Sequence, residues 1–562
     1  MQLQANGIDL PASVPFSMRF YNPLFNDIGS FSFPLTFNGK DPQVQKAFGF
    51  PSLSGNNGSI TPEGRLKLGT IEISGRWRVL KAGDVIEACF TAGNGDFYSL
   101  IKGKSLRDLE YGGVRYPAGA YAGQAELCAY ADTIVDAVYP DNDFTCYPSY
   151  MPNAFGTNTT EAQKMVNAYD VVGETFTYVN SFYLFVGRVI DYLFEEHGYR
   201  VDYNIFREDA DLRKVTIFNT CQVPFSFGAL YYSDLLPDIT CSDFIKAIRN
   251  RFNLSFVIDE IKKSVRVVSF NDIIKKNPAR VNFSTRVGID KNRITGVTLG
   301  LLPPDDWASH DIGSEEDFDP FTFEEKDKVR DIVVSALYNN HVYWVKAESA
   351  IYRVLFDGSV YTLNRICPNL FSHSEGIDET PIEQLSGILS LYTHTVEIDY
   401  TYWVGEDEFP ESTDVDFILP RCDLIGINDD YNQEDFPLMF LSYLGMQNNY
   451  VVPNTHSYQT DYPLASVDVY DATGTKITTA NLSLRWDSSY GLIEKFWENR
   501  IDWELNRVEI TSVDNLPGDH LQTLLDHTAP IMLGNDKYLV NSFLLESIGK
   551  QSRITEVELY RL

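Results

Sequence analysis

The chain has 562 residues, of which 44% are apolar and 14% aromatic, and it carries a formal net charge of −32. That length exceeds one ordinary core and predicts roughly three or four domains, while the apolar share excludes wholesale disorder. The negative field disfavours phosphate backbones, so specific nucleic-acid binding is not expected.

Phe, Tyr, Val, Ile and Thr are plentiful beside modest Ala, Met and Lys, a bias toward strands. No apolar run approaches the roughly 20 residues of a membrane-spanning helix. The start, Met1 to Gly7, has no basic region followed by an apolar stretch, so no signal peptide is expected. Cys89, Cys128, Cys146, Cys221, Cys241, Cys367 and Cys422 are scattered and form no CxxC pair. They read as reduced thiols of a protein made in a cytoplasm.

In chain order, residues 1–125 predict a β-barrel-like domain. Pro11 to Pro23 is an extended entry, and Ser30 to Phe37 alternates polar and apolar side chains. Further strands are expected at Arg65 to Thr70, Ile71 to Val79 and Val85 to Phe90. Residues 126–178 form a loop-rich insertion. Residues 179–301 predict an α+β unit. Its first helix carries the stripe Phe182, Phe185, Val186, Val189, Leu193 and Phe194, stops at Gly198, and leads into an extended Tyr199 to Tyr203. About sixty residues on, the order repeats. Thr240 with Asp243 forms a capping signal, Phe244, Ile245, Ile248 and Phe252 share a helical face, and Leu254 to Asp259 with Ser264 to Phe270 predicts a β-hairpin. Residues 302–331, acidic with Pro303 and Pro304, predict a linker. Residues 332–460 predict an inserted β-rich domain, with strands at His341 to Val345, Ile351 to Phe356 and Tyr392 to Trp403. Residues 461–562 predict a closing β-rich domain, with alternation at Ala480 to Trp486, a helix over Ser488 to Asn499, a strand at Arg507 to Thr511, and last strands at Lys537 to Ser547 and Ile554 to Leu562. The fold class is mainly β with α+β parts.

Chemical motifs are sparse. Gly103-Lys104-Ser105 ends like a phosphate loop, but Tyr98 stands where the first Gly is required, so a turn is expected. Asp141 to Asp143 and Glu406 to Glu408 lack the Gly and distal Glu of a calcium loop and read as solvated acidic loops. Trp486, Trp497 and Trp503 lie among Asp487, Glu494, Glu498, Asp502 and Glu504, the composition of a glycan site. Packing of Phe496 and the tryptophans into a core is the simpler reading. Glu494 and Glu498 lie one turn apart on one face, whereas glycosidase carboxylates flank a bond from opposite sides. No catalytic, cofactor-binding or metal-ligating residue is assigned.

Three segments carry a resemblance. Asn22 to Pro34 resembles the first-domain signature of tail proteins from phages and prophages of Bacteroidetes. The helix before Gly198, and the helix and hairpin from Thr240 to Phe270, resemble the inner part of phage tail-hub (baseplate-hub) proteins. Ala529 to Leu559 is similar to their last hairpin, which returns to the barrel. The resemblance implies a fold of small tube-like β-barrel domains with inserted domains, and a structural virion part that closes a tail tube and forms part of the DNA ejection channel. It implies a homo-oligomer (a trimeric ring), partners among tail-tube, baseplate and tape-measure proteins, and a place in the virion tail. Interface or structural roles fall to Pro23, Phe25, Phe31, Phe33, Phe244, Ile248, Phe252 and Trp497. An appended lysin is not expected after Leu562. The other readings are a distal-tail or receptor-binding subunit recognising surface glycan through the aromatic last third, and a polysaccharide hydrolase.

Overall fold

The computed structural model describes residues 2–11, 15–25, 29–51, 61–68, 71–109, 113–115, 123–151, 164–171, 173–219, 229–259, 262–281, 287–290, 342–345, 350–356, 361–367, 389–404, 407–422, 438–451, 458–469, 476–484, 490–506, 508–517, 520–548 and 551–562. The protein is mainly β, with short helices between several sheets. The expected linker at 302–331 lies outside the described residues.

Among the described residues the largest sheet has 14 strands and joins both ends of the chain. Strand Phe16–Tyr21 pairs antiparallel with Ser30–Ser32 on one side and with Asp536–Ile548 on the other. Asp536–Ile548 continues the sheet into Gln551–Arg561 and then Glu509–Pro517. Alternation decides the faces: Phe16, Met18 and Phe20 are buried, while Ser17, Arg19 and Tyr21 lie on the other side. On that second face Arg19 reaches past Asp536–Ile548 to hold Glu556 at 2.7 Å and Glu558 at 3.2 Å on the strand Gln551–Arg561. The opening segment, expected as an extended entry, is thus an interior strand of the chain's own sheet. Its apolar residues find their cover within the chain. No closed barrel is found among the described strands. The hydrogen-bonded path runs from Ile8–Asp9 to Val287–Asp290 without returning on itself.

Trp77 anchors the core of this sheet. It is fully buried against Phe37, Phe48 and Phe90, and its indole N–H donates to the Gln4 carbonyl at 2.7 Å. Gly75 beside it admits no side chain, since a Cβ would stand 2.1 Å from the Thr91 carbonyl oxygen.

The second core surrounds helices Val186–Glu196 and Cys241–Phe252. Both end in a left-handed residue, Gly198 (φ 76°) and Asn253 (φ 48°), and both feed a strand. Those strands, Arg200–Asn204 and Leu254–Asp259, flank Ser264–Ser269 in one three-stranded sheet, parallel to it and antiparallel to it respectively. The repeated order helix, stop, strand therefore builds two sides of one unit. Thr240 caps the second helix, accepting from the Asp243 N–H at 3.1 Å and donating to its carboxylate at 2.7 Å.

The helix expected over Ser488 to Asn499 lies further on, as a π turn at Ile493–Trp497 running into Glu498–Asn506. Tyr490 has a φ of 65°, which a right-handed helix cannot contain, so the helix starts after it. The strand expected at Arg507 to Thr511 is displaced with it, to Glu509–Pro517.

Candidate functional site: the seam between sheet and helix–hairpin unit

The helix–hairpin unit meets the large sheet along one seam. An aromatic clamp forms its first part. Phe25 stacks on Trp503 at 5.5 Å and stands edge-on to Tyr560 at 5.0 Å. Phe270, at the end of the hairpin, touches the same Trp503 at 5.4 Å. The Arg500 guanidinium lies 5.2 Å from the Phe25 ring, 5.1 Å from Phe270 and 5.3 Å from Trp503. Asn22 sets the entry angle: its side-chain N–H donates to the Val540 carbonyl at 2.7 Å, and its Oδ1 accepts from Leu24 N–H at 2.9 Å. The clamp ties the opening segment, the hairpin, the helix Glu498–Asn506 and the last strand into one contact.

The second part is a cleft of about 620 Å³. The helix–hairpin side contributes Asp202, Asp259, Lys262 and Arg266, and the loop after helix Leu521–Leu525 contributes Asp526, His527 and Thr528. The charges are largely paired. Lys262 meets Asp259 at 3.0 Å. Arg266 donates to the Thr528 hydroxyl at 3.3 Å, and that hydroxyl donates to Asp526 at 2.6 Å. A hydrogen bond from Arg200 holds Asp202 below the usual carboxylate range. His527 is 8% exposed, and its Nδ1 is buried without a hydrogen-bond partner. Burial pushes its pKa down to about 4, although the neighbouring Asp526 pulls it up. Arg266 and Thr528 bind the two units across the cleft.

The sequence-derived residues fall in several places. Pro23 lines the cleft and Phe25 makes the clamp. Phe31 stacks on Tyr21 at 5.7 Å, and Phe33 is 50% exposed. Phe244, Ile248 and Phe252 are fully buried in the second core. Phe252 stands edge-on to Phe206 and Phe496. Trp497 donates its indole N–H to the Asn250 carbonyl at 3.1 Å, and Trp503 donates to Arg561 at 2.7 Å. Both indole N–H groups are therefore taken up by backbone carbonyls, and Trp486 lies outside the described residues. Glu494 is exposed, its carboxylate accepting from the Tyr490 N–H at 2.8 Å, and Glu498 is exposed beside it. Arg500, Tyr560 and His527 were not singled out from sequence. Asn22-Pro23 beside Phe25 was the one local signal for the clamp, and nothing local marks His527.

Gly103 (φ 71°) makes a turn, and Lys104 reaches His197 at 3.0 Å. The acidic run at Asp141 to Asp143 is built in rather than wholly solvated: Asp143 accepts from the Tyr232 hydroxyl at 2.7 Å and pairs with Arg188 at 3.3 Å. Among the described residues no group of three or more His, Cys, Asp or Glu is placed to hold a metal. No described helix is long and apolar enough to cross a membrane.

No protein-family model matches the chain, and no curated protein matches it. Among solved structures it is similar to the 43 kDa tail protein of prophage MuSo2 from Shewanella oneidensis, at a TM-score of 0.30 and 9% identity, over 99% of this chain and 95% of that one.

Proposed function

We propose that the chain is a structural, non-enzymatic component of a phage tail, in the hub or baseplate that closes the tail tube. The observation that carries the reading is the element from Thr240 to Phe270. Its wording resembles tail-hub proteins, and it forms a capped helix, a left-handed stop and a hairpin packed against a sheet of both chain ends. The last hairpin, Asp536–Ile548 with Gln551–Arg561, pairs back onto the opening strand, in keeping with the same resemblance. The mechanism is mechanical and electrostatic. Sheet edges pair with neighbouring copies around a ring, a trimer in this reading. The net charge of −32 keeps the passage from gripping DNA. Tail-tube, baseplate and tape-measure proteins are the partners, and no cofactor takes part. Synthesis is in the host cytoplasm and the working place is the virion tail.

Electron microscopy of purified particles tests the proposal. A ring of this chain at the host-facing end of the tube is expected. Particles that lack the chain, or that carry it only on peripheral fibres, overturn the hub assignment. Release of new reducing ends from capsular polysaccharide or peptidoglycan, abolished by Glu494→Gln and Glu498→Gln, would overturn the non-enzymatic part.

A further inference from the structure

Strand register decides what faces the cleft of the seam. Val257 stands opposite Arg266 and Asp259 opposite Ser264, so these residues share one face of the three-stranded sheet. Phe256, Val265 and Val267 take the other face and are buried in the second core. Across the cleft from the first face lie Asp526, His527 and Thr528.

Each acid of the cleft already has a donor. Asp259 has Lys262 at 3.0 Å, and Asp202 has Arg200 at 2.6 Å. Asp526 accepts from the Thr528 N–H at 3.1 Å and from its hydroxyl at 2.6 Å. The donors are not used up in the same way. Arg266 presents a fork of N–H groups, yet among the described residues it makes one hydrogen bond, to the Thr528 hydroxyl at 3.3 Å. His527, 8% exposed, makes none among the described residues, and its Nδ1 is buried. Spare capacity in the cleft is therefore donor capacity, and it calls for a ligand that accepts. The guanidinium fork matches the paired oxygens of a carboxylate. Because Nδ1 makes no bond, the neutral imidazole can carry its proton on Nε2 and donate to the same group. Charge limits the anion. Arg200, Lys262 and Arg266 only balance Asp202, Asp259 and Asp526, so a single negative charge is tolerated where the double charge of a phosphate meets repulsion. Val257, Leu525, Pro530 and Ile531 line the same space, which suits a short apolar body behind the acid group. The volume of about 620 Å³ lies within the range of small-ligand sites.

We propose that the cleft is a carboxylate-binding site, in which Arg266 and His527 together hold the acid group of a small organic acid or of an acidic side chain in a peptide. The site stands independently of the tail reading. The test is an NMR titration of the full-length chain carrying isotope-labelled histidine, with the His527 ring signal assigned by its loss in His527→Gln. The probes are butyrate, an end-blocked alanyl-glutamyl-alanine peptide, butyramide and inorganic phosphate. Expected is saturable binding of butyrate or of the peptide that shifts the His527 signal, with butyramide and phosphate roughly tenfold weaker. Arg266→Lys, which keeps the charge and removes the fork, should weaken carboxylate binding roughly tenfold. The tighter of the two carboxylates identifies the source of the acid group. Equal binding of butyrate and butyramide, phosphate bound as tightly as butyrate, no saturable binding of either carboxylate, or unchanged affinity in Arg266→Lys each overturns the site. The comparisons among probes use the natural chain, so they decide the matter even where the variant fails to fold. All of these outcomes leave the tail reading intact.

Discussion

His527 makes the stability of the seam depend on pH, and the sign follows from its surroundings. The ring is 8% exposed, its Nδ1 has no partner, and its pKa falls from 6.5 to about 4 through burial. In the unfolded chain the imidazole takes its proton near the ordinary value, and in the folded chain it resists until about pH 4. The unfolded state therefore binds the proton first as pH drops. The stabilisation is complete above about 6.5 and is lost as pH falls through the window toward 4, with nothing further lost below it. At 1.36 kcal/mol per unit, the loss between pH 7 and pH 4 comes to about 3 kcal/mol. Many carboxylates titrate in the same window, so the measurement is a difference. Urea unfolding followed by tryptophan fluorescence is run from pH 7 to pH 4 on the natural chain and on His527→Gln, which stays neutral throughout. The natural chain should lose about 3 kcal/mol more than the variant over that span. Parallel pH profiles would refute the reasoning and mean that the imidazole reaches solvent or a partner in the folded protein.

Four further outcomes follow from the packing. Phe244→Ala and Ile248→Ala, both fully buried, should each cost roughly 2–5 kcal/mol in thermal or urea unfolding; unchanged melts would place that helix face outside the core. Thr240→Ala should cost about 1 kcal/mol by removing the cap on the Asp243 N–H, measured the same way. Trp497→Phe should cost about 1 kcal/mol by leaving the Asn250 carbonyl without its donor, and should leave binding to capsular glycan unchanged in a pull-down. Deleting residues through Asp27 should give insoluble or unfolded protein in expression and circular-dichroism assays, because strand Phe16–Tyr21 is interior to the sheet; a folded, soluble truncation would show that the pairing with Asp536–Ile548 is dispensable.

Local rules made some parts of this protein legible in the sequence and left others hidden. The helix Cys241–Phe252 was readable because its cap, apolar spacing and left-handed stop are all encoded within a dozen neighbouring residues. The hairpin after it was readable for the same reason, as was the strand expected at Val85 to Phe90 and found at Val85–Ala92. The Ala480 to Trp486 alternation misled: Ala480, Leu482 and Leu484 are buried, yet the described part of that run forms no strand. Burial there comes from packing against the second core, not from a ladder. Likewise the start of the helix at Ile493 was set by the backbone of Tyr490, which side-chain periodicity does not report.

By itself, then, the sequence determined those strands and helices whose caps and alternation are encoded locally, and which of their faces are apolar, since propensity, capping and periodicity act over a few residues. Which strands would meet was decided by the tertiary structure. Phe16–Tyr21 lies beside Asp536–Ile548 across more than five hundred positions, with Arg19 answering Glu556 at a separation of 537. The seam depends on the same kind of encounter: Phe25, Phe270, Arg500, Trp503 and Tyr560 come together from four distant segments, and His527 acquires its depressed pKa only through its burial in the fold. Desolvation and ring stacking are properties of assembled neighbours, so no single segment could announce them.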